Sequence, residues 1–296
     1  IRPTWKWPRP ASSESNNTHF IRQAPMRLIN RHPSRSGGLM LLLLPFIVLM
    51  AVYFTGSSMR LKLNPDDKLL PSATQMSDAI KEVAFNEDKR TGEYLLWADT
   101  VSSLRRLGIG LVVSALIALV AAIATGSFPL VGATFSPFIT VISMIPPLAV
   151  LPILFIVFGL DELSKVVLIV VGITPMIIRD LHARAREIPT ELWVKAQTLG
   201  ATSWTLVLRL VLPQLLPRLL VAMRLALGSA WLFLIAAEAI ASTDGLGYRI
   251  FLMRRYLAMD VILPYVAWIT LLAWLIDELL RRLTQWSFPW YGGGAR

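Results

Sequence analysis

Six apolar runs dominate the chain, near 38–55, 107–125, 137–158, 163–178, 219–240 and 261–280. Each approaches the roughly 20 residues that a helix needs to cross the hydrocarbon core of a bilayer. In that medium every backbone N–H and C=O must be satisfied within the protein, so a span is a helix or a strand of a closed barrel. The runs are continuously apolar rather than alternating, which selects helices. The fold class predicted is therefore an all-α polytopic membrane protein with six transmembrane helices. The composition agrees, with charged residues at 16% and a mean hydropathy of +0.58, where soluble domains carry about 25% charged residues.

The polar segments divide the rest. Residues 1–36 read as a basic, mostly disordered tail, 37–56 as the first transmembrane helix and 57–100 as an extracytoplasmic loop. Residues 101–283 read as a core of five helices, and 284–296 as an aromatic tail. Residues 1–38 hold seven Lys/Arg against one acid, Glu14, the usual sign of a cytoplasmic N-terminus. An even number of spans puts the C-terminus on the same side. Basic residues at 179–209 (Arg179, Arg184, Arg186, Lys195, Arg209) favour the cytoplasm for that segment too. The tail shows no signal-peptide cleavage pattern. The net charge of +10 is concentrated there, so it points to lipid headgroups rather than nucleic acid. Trp286, Phe288, Trp290 and Tyr291 suit a membrane interface.

Several chemistries are excluded. There is no cysteine, hence no disulfide or thiolate metal site. No GxxxxGK[ST], HExxH or GxSxG occurs, and His19, His32 and His182 are scattered. No catalytic, cofactor-binding or metal-binding residue is predicted, and moving a solute across the membrane is the default.

The most informative segment is polar, at 189–217: "PTELWVKAQTLGATSWTLVLRLVLPQLLP". Pro189 and Thr190 open a short helix over about 190–199, and Gly200 closes it. Thr202 or Ser203 can cap a second helix, which Pro213 and Pro217 should kink as it enters the bilayer. Gly200, nine residues, then Leu210-Val-Leu-Pro213 reproduces the EAA-x3-G-x9-I-x-L-P signature of ABC-importer permease subunits. "MIPPLAVLPILFIVFGLDELSKVVLIV" and "RLALGSAWLFLIAAEAIASTDGLGYRI" resemble its nitrate/bicarbonate/taurine/alkanesulfonate branch, and the similarity runs over about 69–283.

That resemblance implies a type I ABC importer permease architecture in a bacterial cytoplasmic (inner) membrane. It implies a pair of permeases, a homodimer, forming the pore. Two cytoplasmic ABC ATPase subunits would carry ATP and Mg, and an extracytoplasmic binding protein would deliver a small polar solute. The short helix would be the coupling helix, with Glu191, Val194, Lys195, Ala196, Leu199, Gly200, Ala201, Leu212 and Pro213 forming the coupling loop. The pattern departs from the family at Val194, where an acid is expected, and at Lys195, where Ala is usual; Ala196 fits. Glu191, one turn earlier, can replace the acid. Lys195 can instead meet an acid on its own partner, or docking can rest on shape and apolar contact.

Inside the spans, Arg224, Trp231 and Glu238 are seven residues apart and share a helical stripe. Two readings stand for it: a face on the translocation path or two-fold interface, or Arg224 snorkelling to headgroups with Glu238 capped by backbone amides. The third span, with Pro137, Pro146, Pro147 and Pro152, reads as a broken helix lining the path, or as one whose prolines only set its curvature. Ser143, Met144 and, in the second span, Ser114 are candidate wall positions. That second span is rich in small residues and should pack inside the bundle. Asp244, Gly245 and Gly247 mark a turn at the outer mouth, followed by a short helix. Arg254, Arg255 and Asp260 either add charge there for docking the binding protein or belong to a plain solvated loop. The alternatives are a secondary transporter or channel independent of ATP, which the signature loop opposes, and a purely structural subunit, which the broken span and charged stripe oppose.

Overall fold

The structure, a computed structural model, describes residues 35–64, 67–88 and 92–291; the expected disorder of the tail falls, but for its last two residues, outside them. The regular structure of the described residues is all helical, with no strand. The helices are α1 (Arg35–Leu63), α2 (Ala73–Phe85), α3 (Leu95–Ser127), α4 (Pro129–Ile142), α5 (Pro147–Phe158) and α6 (Glu162–Arg186). They continue as α7 (Thr190–Thr198), α8 (Ser203–Leu206), α9 (Leu212–Ala241), α10 (Leu246–Arg254) and α11 (Met259–Ser287). Five are long and apolar enough to cross a membrane, and the bent pair α4–α5 makes a sixth if taken as one span.

The chain divides into two compact units, Ile1–Val52 and Tyr53–Arg296. The first contributes the leading, apolar part of α1. In the second, the polar segment after α1 is more ordered than its composition suggests. Ser72 and Gln75 form a capping box that starts α2: Ser72 Oγ accepts from the Gln75 amide at 3.2 Å, and Gln75 Oε1 accepts from the Ser72 amide at 2.7 Å. Tyr53 and Ser57, on the last turns of α1, donate to the carbonyls of Pro71 and Leu70.

The core lies between α3, α6 and α9. Small residues decide how closely they approach, as expected for the second span. A Cβ on Gly110 of α3 would stand 2.8 Å from Ile169 Cγ2 of α6, and one on Gly126 would stand 2.5 Å from Ala185 Cβ. Ala118 and Ala122 are fully buried on the same face. Further along α6, Gly172 leaves room for the Phe233 ring of α9.

Three differences from the sequence reading have clear causes. First, α3 begins at Leu95 rather than near 107. Its early polar residues are buried against α10 and α9 rather than exposed in a loop, so hydropathy alone misses them. Second, the break expected in the third run is a right-angle one, two helices bent by 92°. Pro146 and Pro147 cannot donate backbone hydrogen bonds, and α4 therefore stops at Ile142 and α5 restarts at Pro147. Third, the helix entering α9 meets Pro213 with a π-helical segment, Val207–Val211. The Leu212 amide reaches back five residues to the Val207 carbonyl. Such a bulge re-routes the backbone ladder beside a residue that cannot join it.

Candidate functional site

Two ends of the bundle and one break in its wall gather the polar chemistry. At the Gly245 end, α3 supplies Asp99, Ser103 and Arg106, spaced four and three residues apart and so on one face of the helix. All three are buried, Arg106 at 2% exposure. Arg106 holds three carboxylates. Its Nη1 donates to Glu238 Oε1 of α9 at 2.8 Å, and Nε and Nη2 make a two-pronged bond to Glu162 of α6, both at 2.6 Å. Nη2 also reaches Asp244, in the α9–α10 turn, at 2.5 Å.

Glu238 is fully buried and fully satisfied. It accepts from Ser103 Oγ at 2.8 and 3.0 Å, from Arg106, and from the Gly247 amide at 2.8 Å. A buried carboxylate persists only with such a set of partners. Asp99 accepts from the Gly245 amide at 2.9 Å and from Arg249 of α10 at 2.8 Å, with Tyr265 of α11 at 3.3 Å. Gly245 has φ +111, and a Cβ there would stand 2.6 Å from Glu238 Cδ. Burial opposes the charge on Asp244, but hydrogen bonds from Arg106 and Ser102 outweigh it and hold its carboxyl below the usual range. Burial likewise opposes the Arg249 charge, and Asp99 outweighs it, so the guanidinium is held above its ordinary value. The turn and α10 are thus tied to α3, α6 and α9 through charged side chains, and the Tyr265 hydroxyl of α11 joins them at Asp99.

At the Gly200 end, α7 ends in a complete Schellman motif. The Ala201 amide donates to the Ala196 carbonyl at 3.0 Å and the Gly200 amide to Gln197 at 2.9 Å. Gly200 takes φ +79, which the motif requires. Thr202 rather than Ser203 caps the next helix, accepting from the Thr205 amide. No residue of α7 is buried. Val194 is 56% exposed, Leu199 87% and Trp204, just beyond the turn, 70%. Trp193 turns inward against the core.

Between the ends, the α4–α5 break opens a cavity of about 520 Å³ lined by Ser143, Pro147, Val171, Pro175, Arg179 and Asp180, among others. Ser143 Oγ donates to the Thr140 carbonyl at 2.7 Å and accepts from Arg179 Nη1 at 3.0 Å.

Comparison with known proteins places this architecture. The family model described as "Binding-protein-dependent transport system inner membrane component" matches residues 114–292. The chain belongs to that family. The permease is 32% identical over 245 residues to the taurine transport system permease protein of Escherichia coli (strain K12), covering 83% of this chain and 87% of that one. It is 29% identical over 196 residues to the bicarbonate transport system permease protein of Synechococcus elongatus, covering 65% and 69%. Among solved structures it matches a bacterial ABC transporter involved in import of the acidic polysaccharide alginate, with a TM-score of 0.58 at 14% identity over 85% of this chain and 96% of that one. It also matches the MetNI methionine ABC transporter in an inward-facing conformation, with a TM-score of 0.53 at 20% identity over 73% and 98%. Both structures carry the fold alone.

The permease therefore is a multi-pass transport subunit of an ABC importer of the inner membrane, in the taurine, sulfonate and bicarbonate branch. Among its described residues no group of three or more His, Asp or Glu is placed to hold a metal. The structure sorts the sequence-predicted positions sharply. Asp244, Gly245 and Gly247 converge on Glu238 and Arg106. Ser143 and Pro147 line the cavity at the break, with Met144 exposed beside it and Pro146 capping α5. Ser114, Trp231 and Glu238 are buried within the bundle, Glu238 among Ser103, Arg106 and Gly247. Arg224 does not snorkel: it makes a two-pronged ion pair with Asp277 of α11, both bonds 2.8 Å. Sequence reasoning missed Asp99, Ser103, Arg106, Glu162, Arg249, Asp277 and Arg179. The i, i+4, i+7 spacing of Asp99, Ser103 and Arg106 was the available signal that the helix began before its apolar run.

The Arg224–Asp277 pair is partly exposed, so its net worth is modest. Arg224→Leu leaves a carboxylate unpartnered in an apolar segment, and Asp277→Leu leaves a guanidinium so. Each single change should destabilise the detergent-solubilised subunit by about 1–2 kcal/mol, and the double change by less than either. Additive losses in the thermal unfolding of the four variants would show that the two side chains do not act as a pair.

Proposed function

We propose that two copies of this permease form the pore of the importer, with both termini in the cytoplasm. In this reading α7 is the coupling helix and rests in a cleft of a cytoplasmic ATPase subunit, which supplies the ATP and Mg. An extracytoplasmic binding protein docks at the Gly245 end and delivers a small oxyanion or sulfonate.

The observation that carries this reading is α7 itself. A nine-residue helix with no buried residue, bearing Val194, Leu199 and the adjacent Trp204 in the open, costs free energy unless a partner covers it. The Schellman turn fixes its direction, so a push on α7 passes into the helical rod of Ser203–Ala241. That rod carries Glu238, and with it the Gly245-end cluster, near its far end. A two-state element touching both faces is what coupling between ATP and solute requires. Glu191, in the first turn of α7, supplies the acid that Val194 does not, and Lys195 one turn later offers a charge of the opposite sign.

The test is purification of the permease with the subunits that associate with it, followed by solute uptake in proteoliposomes. A P-loop ATPase should co-elute, and replacing its phosphate-binding lysine should abolish uptake. Uptake that persists without that lysine overturns the ATP-driven reading in favour of a secondary transporter.

A further inference from the structure

Most charged side chains on the spanning helices of the core are spent on one another: Arg106 on three carboxylates, Arg224 on Asp277, Arg184 on Glu187 and Glu278 on Arg281 and Arg282. Arg179 is different. It stands on α6 roughly 25 Å along the axis from Glu162 and about 10 Å from Arg186. Its hydrogen bond is to Ser143, and no carboxylate lies within ion-pair distance among the described residues. Four of its five N–H groups are therefore open, and the side chain is exposed in the wall of the cavity at the α4–α5 break. The Ser143 hydroxyl already donates its hydrogen bond to the Thr140 carbonyl, so towards Arg179 it can only accept, and it acts as a tether that aims the guanidinium.

A second charge lines the same cavity. Asp180 makes no hydrogen bond or ion-pair contact among the described residues; Arg184, one turn on, feels its charge at longer range but gives its hydrogen bonds to Glu187. Pro175 adds an acceptor nearby. It has no N–H to give to the carbonyl of Val171, four residues earlier, and both residues line the cavity. The wall thus presents an open planar cation and, next to it, an open carboxylate. The cavity, about 520 Å³, is of the size that holds small ligands.

Resting on the importer reading, we infer that the cavity at the α4–α5 break is a transit site for a small zwitterion. Arg179 takes the sulfonate or carboxylate end and Asp180 takes the ammonium end. The guanidinium fork matches two oxygens of such a group. The carboxylate disfavours a solute carrying negative charge alone and favours one with an amine a few bonds away. Site strength must stay modest, since a solute in transit has to leave.

The experiment uses the complete transporter with its binding protein in proteoliposomes containing ATP. Taurine, ethanesulfonate (which lacks the amine) and nitrate are the probes. Wild type should import taurine best. R179Q should lower uptake of taurine and ethanesulfonate about ten-fold, while stimulation of ATP hydrolysis by the loaded binding protein stays within about two-fold. R179K should fall between. D180N should lower taurine uptake several-fold more than ethanesulfonate uptake. S143A, which releases the tether and leaves both charges, should raise the KM for taurine and spare the maximal rate.

Wild-type uptake in R179Q overturns the anion half of the inference, and equal losses for the two sulfonates in D180N overturn the ammonium half. If R179Q does not assemble, R179K and S143A decide: unchanged KM in both overturns the site. A wild type that imports nitrate but neither sulfonate overturns the zwitterion assignment and leaves the importer standing. A wild type that imports none of the three with ATP overturns both the zwitterion assignment and the oxyanion or sulfonate cargo proposed above.

Discussion

Arg106→Met should destabilise the permease by about 3–5 kcal/mol, among the largest losses a single substitution can produce here. Arg106 and Glu238 are 2% and 0% exposed, so the variant leaves a carboxylate in the protein interior with no cation beside it. The same change frees Glu162 and Asp244, but these are about half exposed and water can serve them, so they add little. Three comparisons separate the charge pair from packing. Glu238→Gln keeps the size and an acceptor for Ser103 but turns an amide N–H toward the Gly247 amide, and should cost less than Arg106→Met. The double variant should be more stable than the sum of its parts predicts. Glu162→Gln should lie within about 1 kcal/mol of wild type. Unfolding of the solubilised subunit by heat or denaturant reads all four, and a melting temperature unmoved by Arg106→Met would refute the account. The network should also show in function, because it fixes the Gly245 turn to three spanning helices. A variant that survives with a loosened turn should hydrolyse ATP without waiting for a loaded binding protein.

How much of this was legible in the sequence depends on how local the signal is. The Gly200 turn was fully legible, because a Schellman motif is written in five or six consecutive residues and needs φ > 0 at one of them. The broken third span was legible as a break, since two prolines remove two donors, but not as a right-angle bend, which depends on what α4 packs against. There Gly132 lies over the Thr125 carbonyl and beside His182. Glu238 was legible as a charge inside a span, on one stripe with Arg224 and Trp231, with both readings of that stripe open. Its partners were not, because Ser103 and Arg106 lie more than 130 residues away. Arg106 itself was hidden by a rule that otherwise works: hydropathy ends a span at the first charge, whereas a charge that is paired inside the bundle leaves the helix free to continue. The same blindness separated Arg224 from Asp277. Pairing between helices sets where charges may sit, and a single sequence shows only one half of each pair.

Gly200→Pro should uncouple ATP hydrolysis from uptake, lowering solute imported per ATP by more than about ten-fold while the spans still insert. Two effects act together. Proline holds φ near −65°, whereas the turn needs +79°. It also has no N–H to give to the Gln197 carbonyl, so the α7 cap opens. Neither effect reaches the bundle, since a Cβ at Gly200 would have no neighbour within 4 Å. That open space makes a graded series interpretable, because within the permease itself a loss must come from backbone conformation and not from a clash. Gly200→Ala carries the strain of a left-handed backbone, about 1–2 kcal/mol, and should lose coupling part-way. Gly200→Asn tolerates that conformation and should stay close to wild type. The ordering Gly, Asn, Ala, Pro in solute imported per ATP is the signature of a turn that transmits direction. An ordering by side-chain size, with Asn worse than Ala, would mean that the ATPase cleft touches residue 200 directly and that the turn is merely a contact surface. Equal coupling in all four would mean that α7 transmits nothing through this joint.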